Sequence, residues 1–284
     1  MAKTKSTGDV LANLIESLLE VQGVCPDCNS PLFGWKTKKP DGSERCVPTC
    51  MICGYKALKK REKTEVKERY DKAVRGDALA FFLSQSLVTD KKLLNCDLSN
   101  YAVVDAETKQ AKELALKYVD SVVAGNPSHM ILIGKTGVGK SHIAMGICYE
   151  AMEKSNYNLK CIVINYRELL EKLKNAFNDR EAQREVQGRL MRDIKNADLV
   201  VIDDLGAELG GAYAGQSTVY NNDIINSIME ARQNEATIIT TNLNGTEVQK
   251  AYGKRIVSRI SQHLDGFTFT FKQTTDKRKV GVSQ

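Results

Sequence analysis

The octapeptide GKTGVGKS at 134–141 constrains this chain more than any other stretch, because it satisfies G-x-x-x-x-G-K-[ST] at every fixed position. It follows the apolar run HMILI and opens a helical pattern at 140–154, so a strand must turn through glycines into a helix. In that setting the backbone of Gly134, Lys135, Thr136, Gly137, Val138 and Gly139 curls so that its N–H groups surround phosphate oxygens. The helix N-terminus adds the positive end of a dipole. Lys140 should reach the β and γ phosphates of ATP and Ser141 should ligate Mg²⁺, with His142 next to them in the nucleotide-binding set. A glycine-rich strand-to-helix turn without a ligand is the structural alternative.

A phosphate loop of this kind needs a carboxylate at the end of a neighbouring buried strand, and LVVIDD at 199–204 supplies two. Asp203 should orient the Mg²⁺ coordination sphere. Asp204, with Glu208 as the alternative, should polarise the attacking water, although Asp also caps turns. The strand TIITTN at 237–242 ends in polar residues at the edge where ligands bind in such sheets. Asn242, or its neighbour Thr241, is the candidate to hold the attacking water or the γ phosphate.

Around these motifs the pattern alternates. Strands are expected at 129–134, 159–166, 198–204, 236–242 and 266–272, separated by helices at 140–154, 167–177, 221–233, 246–252 and 253–262. Short apolar runs between amphipathic helices imply a parallel sheet covered on both faces, an α/β fold. Helices are also expected at 107–123 and, mostly, at 78–94, with the α/β domain beginning near Leu94. Upstream, KALKKREKTEVKERYDKAVR at 56–75 mixes charges among helix formers and reads as an exposed linker helix; a basic nucleic-acid contact is the competing reading.

The net charge of +6 permits contact with nucleic acid but is too mild to argue for it alone. No run of about 18 apolar residues occurs and no secretion signal opens the chain, so no membrane association and a cytoplasmic location are expected.

Eight cysteines without an export signal argue for metal rather than disulfides, since five lie between 25 and 53. Cys25-Pro-Asp-Cys28 and Cys50-Met-Ile-Cys53 are two C-x-x-C knuckles separated by 21 residues, a spacing that reads as tetrahedral zinc. Four thiolates would close the shell, so the Zn²⁺ would be structural. Cys46 competes with Cys50 for the fourth place, and Phe33 and Trp35 are expected beside the module. A redox role would need a thioredoxin-like setting that this segment lacks. Cys96, Cys148 and Cys161 read as small core residues. Before the module, residues 9–22 place Val10, Leu11, Leu14, Ile15, Leu18 and Leu19 on one face of an amphipathic helix, packed on the module or docking a partner.

The succession GKTGVGKS, VVIDDLGAE, IITTNL and YGKRIVSRI resembles the AAA+ ATPase core of DnaC/DnaI-type replicative helicase loaders, over about residues 95 to 280. The resemblance implies a P-loop AAA+ core and a finger arginine at Arg255 that reaches a neighbouring subunit's nucleotide. A planar guanidinium suits charge spreading over transferred phosphoryl oxygens. Arg259, four residues on, would share that work or pair with an acid. A late arginine facing the nucleotide in cis falls nearest Arg278, in a loose tail match whose alternative is an exposed basic end. The segment from Gly210 to Ile225, with Tyr213, Tyr220 and Asn221, is similar to one that contacts DNA in the family; a flexible surface loop is the competing reading. DnaI-like loaders also carry an N-terminal zinc module that touches the helicase.

These features divide the chain into a partner-docking helix and zinc module (1–60), a helical linker (61–94) and an AAA+ domain (95–284). The implied function is an ATPase, activated by self-association into an oligomer or by DNA. It would bind a replicative ring helicase, a hexamer of the DnaB/DnaC type, together with single-stranded DNA, and release the helicase on hydrolysis. An IstB-type transposition ATPase acting on duplex DNA is the alternative, disfavoured by the zinc module. A DNA-binding module with negligible turnover is a third reading, against which Lys140, Asp203 and Asp204 all count.

Overall fold

The structure, a computed structural model, describes residues 7–210 and 217–277. The chain divides into two compact units between Lys72 and Ala73. In the first, helix α1 (Thr7–Leu18) leads into three short strands, β1 (Leu19–Val24), β2 (Pro31–Trp35) and β3 (Thr49–Cys50), which form an antiparallel sheet in the order β1-β2-β3. The helix expected to reach residue 22 therefore stops at Leu18. Leu19 instead pairs with Trp35 and Val24 with Pro31, and the β-branched Val21 and Val24 suit the ladder better than a helix end. Leu14, Ile15 and Leu18 are exposed, so this part of the apolar stripe is not packed on the cysteine module.

Helix α2 (Met51–Gln85) runs unbroken for 35 residues, starting inside the second cysteine knuckle. Two separate helices were expected, at 56–75 and 78–94. Gly76 does not divide them, because one glycine costs only about 1 kcal/mol against a long run of helix formers. The helix also ends earlier than residue 94. Leu87 makes a parallel bridge with Ile164 and Asp90 caps a 3₁₀ turn at Lys91–Asn95. Phe82, in the segment read as a linker, is fully buried in the second unit's core.

The second unit continues with α3 (Ala106–Val123), β4 (His129–Ile133), α4 (Lys140–Lys154), β5 (Cys161–Asn165), α5 (Tyr166–Asn175), α6 (Arg180–Gln183), α7 (Met191–Asn196) and β6 (Leu199–Leu205). It closes with α8 (Val219–Ala231), β7 (Ala236–Thr241), α9 (Gly245–Tyr252), α10 (Lys254–Ser261) and β8 (Thr268–Thr270). Its five strands are parallel, in the order β5-β6-β7-β4-β8. Strand β6 shows why both faces are covered. Leu199 and Val201 enter one core with α3 and α4, while Val200 and Ile202 enter a second with residues of α5 and α7 to α10. The α/β architecture is the one the alternating pattern implied.

Residues 180–196, for which the sequence yielded no element, are helical, with a π-helical segment at Arg184–Leu190 between α6 and α7. Arg232, at the end of α8, is fully buried. Its guanidinium donates to the carbonyls of Ile194, Ala197 and Ala236 and to the Thr237 hydroxyl, tying the ends of α7 and α8 to the start of β7. Among the described residues no helix is long and apolar enough to cross a membrane.

Candidate nucleotide site and cysteine cluster

The phosphate loop links β4 to α4 at the carboxyl edge of the sheet, beside the ends of β6 and β7. Two of its glycines are required by close approach. Gly137 and Gly139 have φ of 86° and 99°, which side-chain-bearing residues rarely adopt. A Cβ on Gly137 would collide with the Asp276 carboxylate, and one on Gly139 would lie 3.0 Å from the Tyr101 ring. Gly139 is also the N-cap of α4 and no side chain caps that end. The first turn of a 15-residue helix thus presents its N–H groups to the loop, a donor set that suits an anion.

Lys140 is buried, and its ammonium donates to the carbonyls of Gly134 (2.8 Å) and Lys135 (3.0 Å). Ser141 donates its hydroxyl to Asp203 Oδ1 at 2.8 Å. Thr240, on β7, donates to the same oxygen at 2.7 Å and accepts from the Asp204 backbone N–H at 2.8 Å. One threonine hydroxyl therefore orients both acidic residues. Asp204 sits at a register shift between β6 and β7 with φ of 58°, a conformation Asp tolerates better than most residues. Burial pushes the Asp203 pKa up, against the opposing hydrogen bonds from Thr240 and Ser141.

A cavity of about 410 Å³ joins these groups, within the usual size for a small-molecule site. Thr136, Gly137, Gly139, Lys140, Ser141, His142, Asp203 and Asp204 line it. Gly134, Lys135 and Val138 do not; Val138 instead packs in the core. The His142 Nε2 faces two oxygen acceptors, Asn100 Oδ1 at 2.7 Å and the Asp97 carbonyl at 3.0 Å, so this nitrogen carries the proton. Burial lowers the His142 pKa and favours the neutral ring.

A hydroxyl on Ser141 and a carboxylate on Asp203, 2.8 Å apart at the mouth of an uncapped helix, fit a hard divalent cation bound with phosphate oxygens.

Several contributors to this cavity escaped the sequence reading. Asn100, Tyr101, Asn165 and Lys277 all line it. Lys277 lies over the Tyr101 ring at 3.8 Å and donates to the Ala102 carbonyl at 2.7 Å, while its backbone N–H reaches Gly137 O at 3.0 Å. Glu107 holds that tail by accepting from the backbone of Lys272, Gln273 and Thr274. Cys96, expected in the core with Cys148 and Cys161, is only half-buried and lines the same cavity. Asn165 had a local signal, since a residue ending a strand and capping the next helix must be Asn-like. Lys277 had none, because only the tail's return across the loop brings it there.

Other expected residues lie elsewhere. Asn242 is exposed and does not line the cavity, and Thr241 donates to the Leu205 carbonyl at 2.6 Å. Glu208 accepts from the Gly206 N–H and the Tyr252 hydroxyl, which occupies it in local structure. Arg255 is 72% exposed, 3.9 Å from Glu230, whereas Arg259 is mostly buried and pairs with Glu230 at 3.0 Å. Of the two, Arg255 is the one presented outward. Arg278 and Tyr213 lie outside the described residues.

In the first unit the Sγ atoms of Cys25, Cys28, Cys50 and Cys53 all lie within 4.8 Å of one another. Tetrahedral zinc with Zn–S bonds of about 2.3 Å separates its sulfurs by about 3.8 Å, so the cluster fits that ion. The first knuckle is closed by Cys25 N–H to Ser30 O and Asn29 N–H to Cys25 O; in the second, the Cys53 N–H points at Cys50 Sγ. Cys46 is exposed and is not among the four. Phe33 and Trp35 are half-buried on β2, with Arg45 stacked over the Trp35 ring.

Residues 67–265 match the family model described as IstB-like ATP binding protein. The chain belongs to this family. Among curated proteins, the replicative helicase loader DnaC of Escherichia coli K12 is 30% identical over 168 residues, covering 58% of this chain and 63% of that protein. The DnaC of Buchnera aphidicola is 25% identical over 173 residues, covering 59% and 63%. The chain thus spans less than two thirds of the length of these relatives. A crystal structure of the DnaC helicase loader superposes with a TM-score of 0.54 at 20% identity, covering 64% of this chain and all of that one. A crystal structure of DnaI gives 0.52 at 23% identity, covering 66% and 96%. The IstB-like core is therefore the fold shared by this chain and those loaders, as the four sequence motifs implied.

Proposed function

We propose that the chain is an ATP-dependent loader of a replicative ring helicase, acting with single-stranded DNA when replication initiates. The observation that carries this reading is the 30% identity, over 168 residues, to proteins named replicative helicase loader DnaC. The site chemistry agrees with it. Lys140 and the N–H groups of the loop bind the phosphates, Ser141 and Asp203 hold Mg²⁺, and Asp204 orients water at the γ phosphate. The metal supplies charge neutralisation at the phosphates. Lys135, Gly134 and Val138 shape the loop behind these groups. Arg255, presented outward, serves the nucleotide of an adjacent subunit in an ATP-dependent oligomer. Asn242 and Arg278 complete the set that responds to the γ phosphate.

Residues 1–60 dock the helicase. Exposed Leu14, Ile15 and Leu18 offer an apolar helix face, held beside a module stapled by Zn²⁺ on Cys25, Cys28, Cys50 and Cys53. Residues 61–94 connect it to the ATPase domain at 95–284. The alternative, a transposition ATPase acting on duplex DNA, would share the IstB-like core; the cysteine cluster favours the loader.

The test is co-purification of the full chain with the ring helicase of the same genome, in ATP and in ADP. Capture in ATP and release on hydrolysis is the expected result. No capture, with turnover stimulated by duplex DNA alone, would move the assignment to transposition.

A further inference from the structure

The first part of α2 concentrates positive charge on one side. Lys56, Lys59, Lys60, Lys63 and Lys67 border one surface hollow of this helix, all exposed. At 100° per residue their directions fall within an arc of about 100°, and Lys56 to Lys67 spans about 16 Å along the axis. Among the described residues, the only acids bordering the same hollow are Glu68 and Asp71, both at its C-terminal end. Tyr70 points within the same arc, close to the directions of Lys59 and Lys63, and is 66% exposed.

We propose that this face of α2 is a binding site for single-stranded nucleic acid, separate from any contact made by the ATPase unit. Lysines at successive turns, about 5 to 6 Å apart, can each follow a phosphate of a flexible strand. The exposed Tyr70 ring supplies a sequence-tolerant surface on which a base stacks. A protein partner would call for an apolar or aromatic centre, whereas Tyr70 stands past the C-terminal end of the lysine row, and lysine is depleted in such interfaces. A membrane surface would call for apolar side chains opposite the lysines, where α2 instead carries Arg61, Glu62, Glu65, Arg69 and Lys72. The site does not depend on nucleotide or on a helicase, so it stands or falls apart from the loader reading.

The test uses the full, zinc-loaded chain without nucleotide, binding a fluorescent oligo-dT by anisotropy at several salt concentrations. Replacing Lys56, Lys60, Lys63 and Lys67 with glutamine keeps good helix formers in place. It should reduce the slope of log K against log salt by about 3, at about 0.7 for each phosphate of a single strand that a lysine neutralises. Replacing the same four with arginine should keep the slope, and Tyr70→Ala should weaken binding about tenfold with the slope unchanged. Helicity and zinc content report whether the variants fold. An unchanged slope in the glutamine variant overturns the proposal. A reduced slope for a duplex of equal length but not for oligo-dT overturns the single-strand assignment. Loss of helicase capture with oligo-dT binding intact also overturns it, in favour of an acidic protein surface.

Discussion

The hydroxyl of Ser141 donates to the carboxylate of Asp203 across 2.8 Å, joining the first turn of α4 to the end of β6. These residues are 62 positions apart in the chain, and each lies on an element whose apolar residues fill the core. Thr240 holds the same carboxylate from the next strand, so the fold itself fixes where that carboxylate lies. Binding then needs little reorganisation of these groups.

Burial raises the Asp203 pKa above the ordinary carboxylate value. A folded-state pKa above the unfolded one contributes stability that is complete below the unfolded pKa and lost as pH rises through the folded one. Ionising Asp203 as the pH rises therefore costs the fold stability. Asp203→Asn keeps an oxygen acceptor for Ser141 and Thr240, so it should raise Tm without ligand, by about 2–4 °C per kcal/mol relieved. The same variant should lose the further stabilisation that Mg-ATP gives the wild type. Thermal unfolding with and without Mg-ATP checks both.

Lys140 places its ammonium inside the loop, within 3.0 Å of the Gly134 and Lys135 carbonyls, where the proposed phosphates would lie. Hydrogen bonds to charged groups are worth about 1.5–3 kcal/mol. Lys140→Ala should accordingly weaken ATP binding by at least about tenfold, measured by titration with a fluorescent nucleotide. Wild-type affinity in this variant would remove Lys140 from the site.

Arg255→Ala should bind nucleotide normally yet lose about 10³-fold of the turnover that assembly stimulates, the lower end of what a finger arginine supplies. Arg259→Ala should behave differently. It removes a mostly buried guanidinium and its 3.0 Å pair with the exposed Glu230, and so should lower Tm as well. ATPase rates at rising protein concentration, alongside unfolding curves, separate the two.

Chelation should remove one Zn²⁺ per chain and expose the segment from β1 to β3 to protease, leaving ATP affinity unchanged. Cys25→Ser or Cys53→Ser should reproduce the loss, while Cys46→Ser should retain the metal, because Cys46 stands outside the cluster. Metal analysis with limited proteolysis is the measurement.

What the sequence disclosed, and what it did not, follows from the range of the signals. The phosphate loop, Asp203 and the four clustered cysteines stood out because each belongs to a short motif with fixed spacing. The parallel sheet was legible from apolar runs separated by helices, though not its strand order. Local pattern failed where distant pairing decides. Leu19–Val24 continues α1's apolar rhythm yet is drawn into a ladder by Pro31–Trp35. The stretches read as two helices, at 56–75 and 78–94, share one helix to Gln85. Nothing in the local pattern marks Arg232 for burial, and the convergence of three carbonyls and a hydroxyl from other elements makes that burial tolerable. Lys277 enters the site through tertiary placement with no motif to mark it, whereas Thr240 stood in the polar strand end TIITTN, from which Asn242 or Thr241 was the expected contributor.

The most direct test of the loader reading is the amount of the ring helicase transferred onto a closed single-stranded DNA circle, measured with ATP and Mg²⁺ in the presence and absence of this chain. The account predicts that transfer requires the wild-type chain and fails with Lys140→Ala. Equal transfer with and without the chain would contradict it.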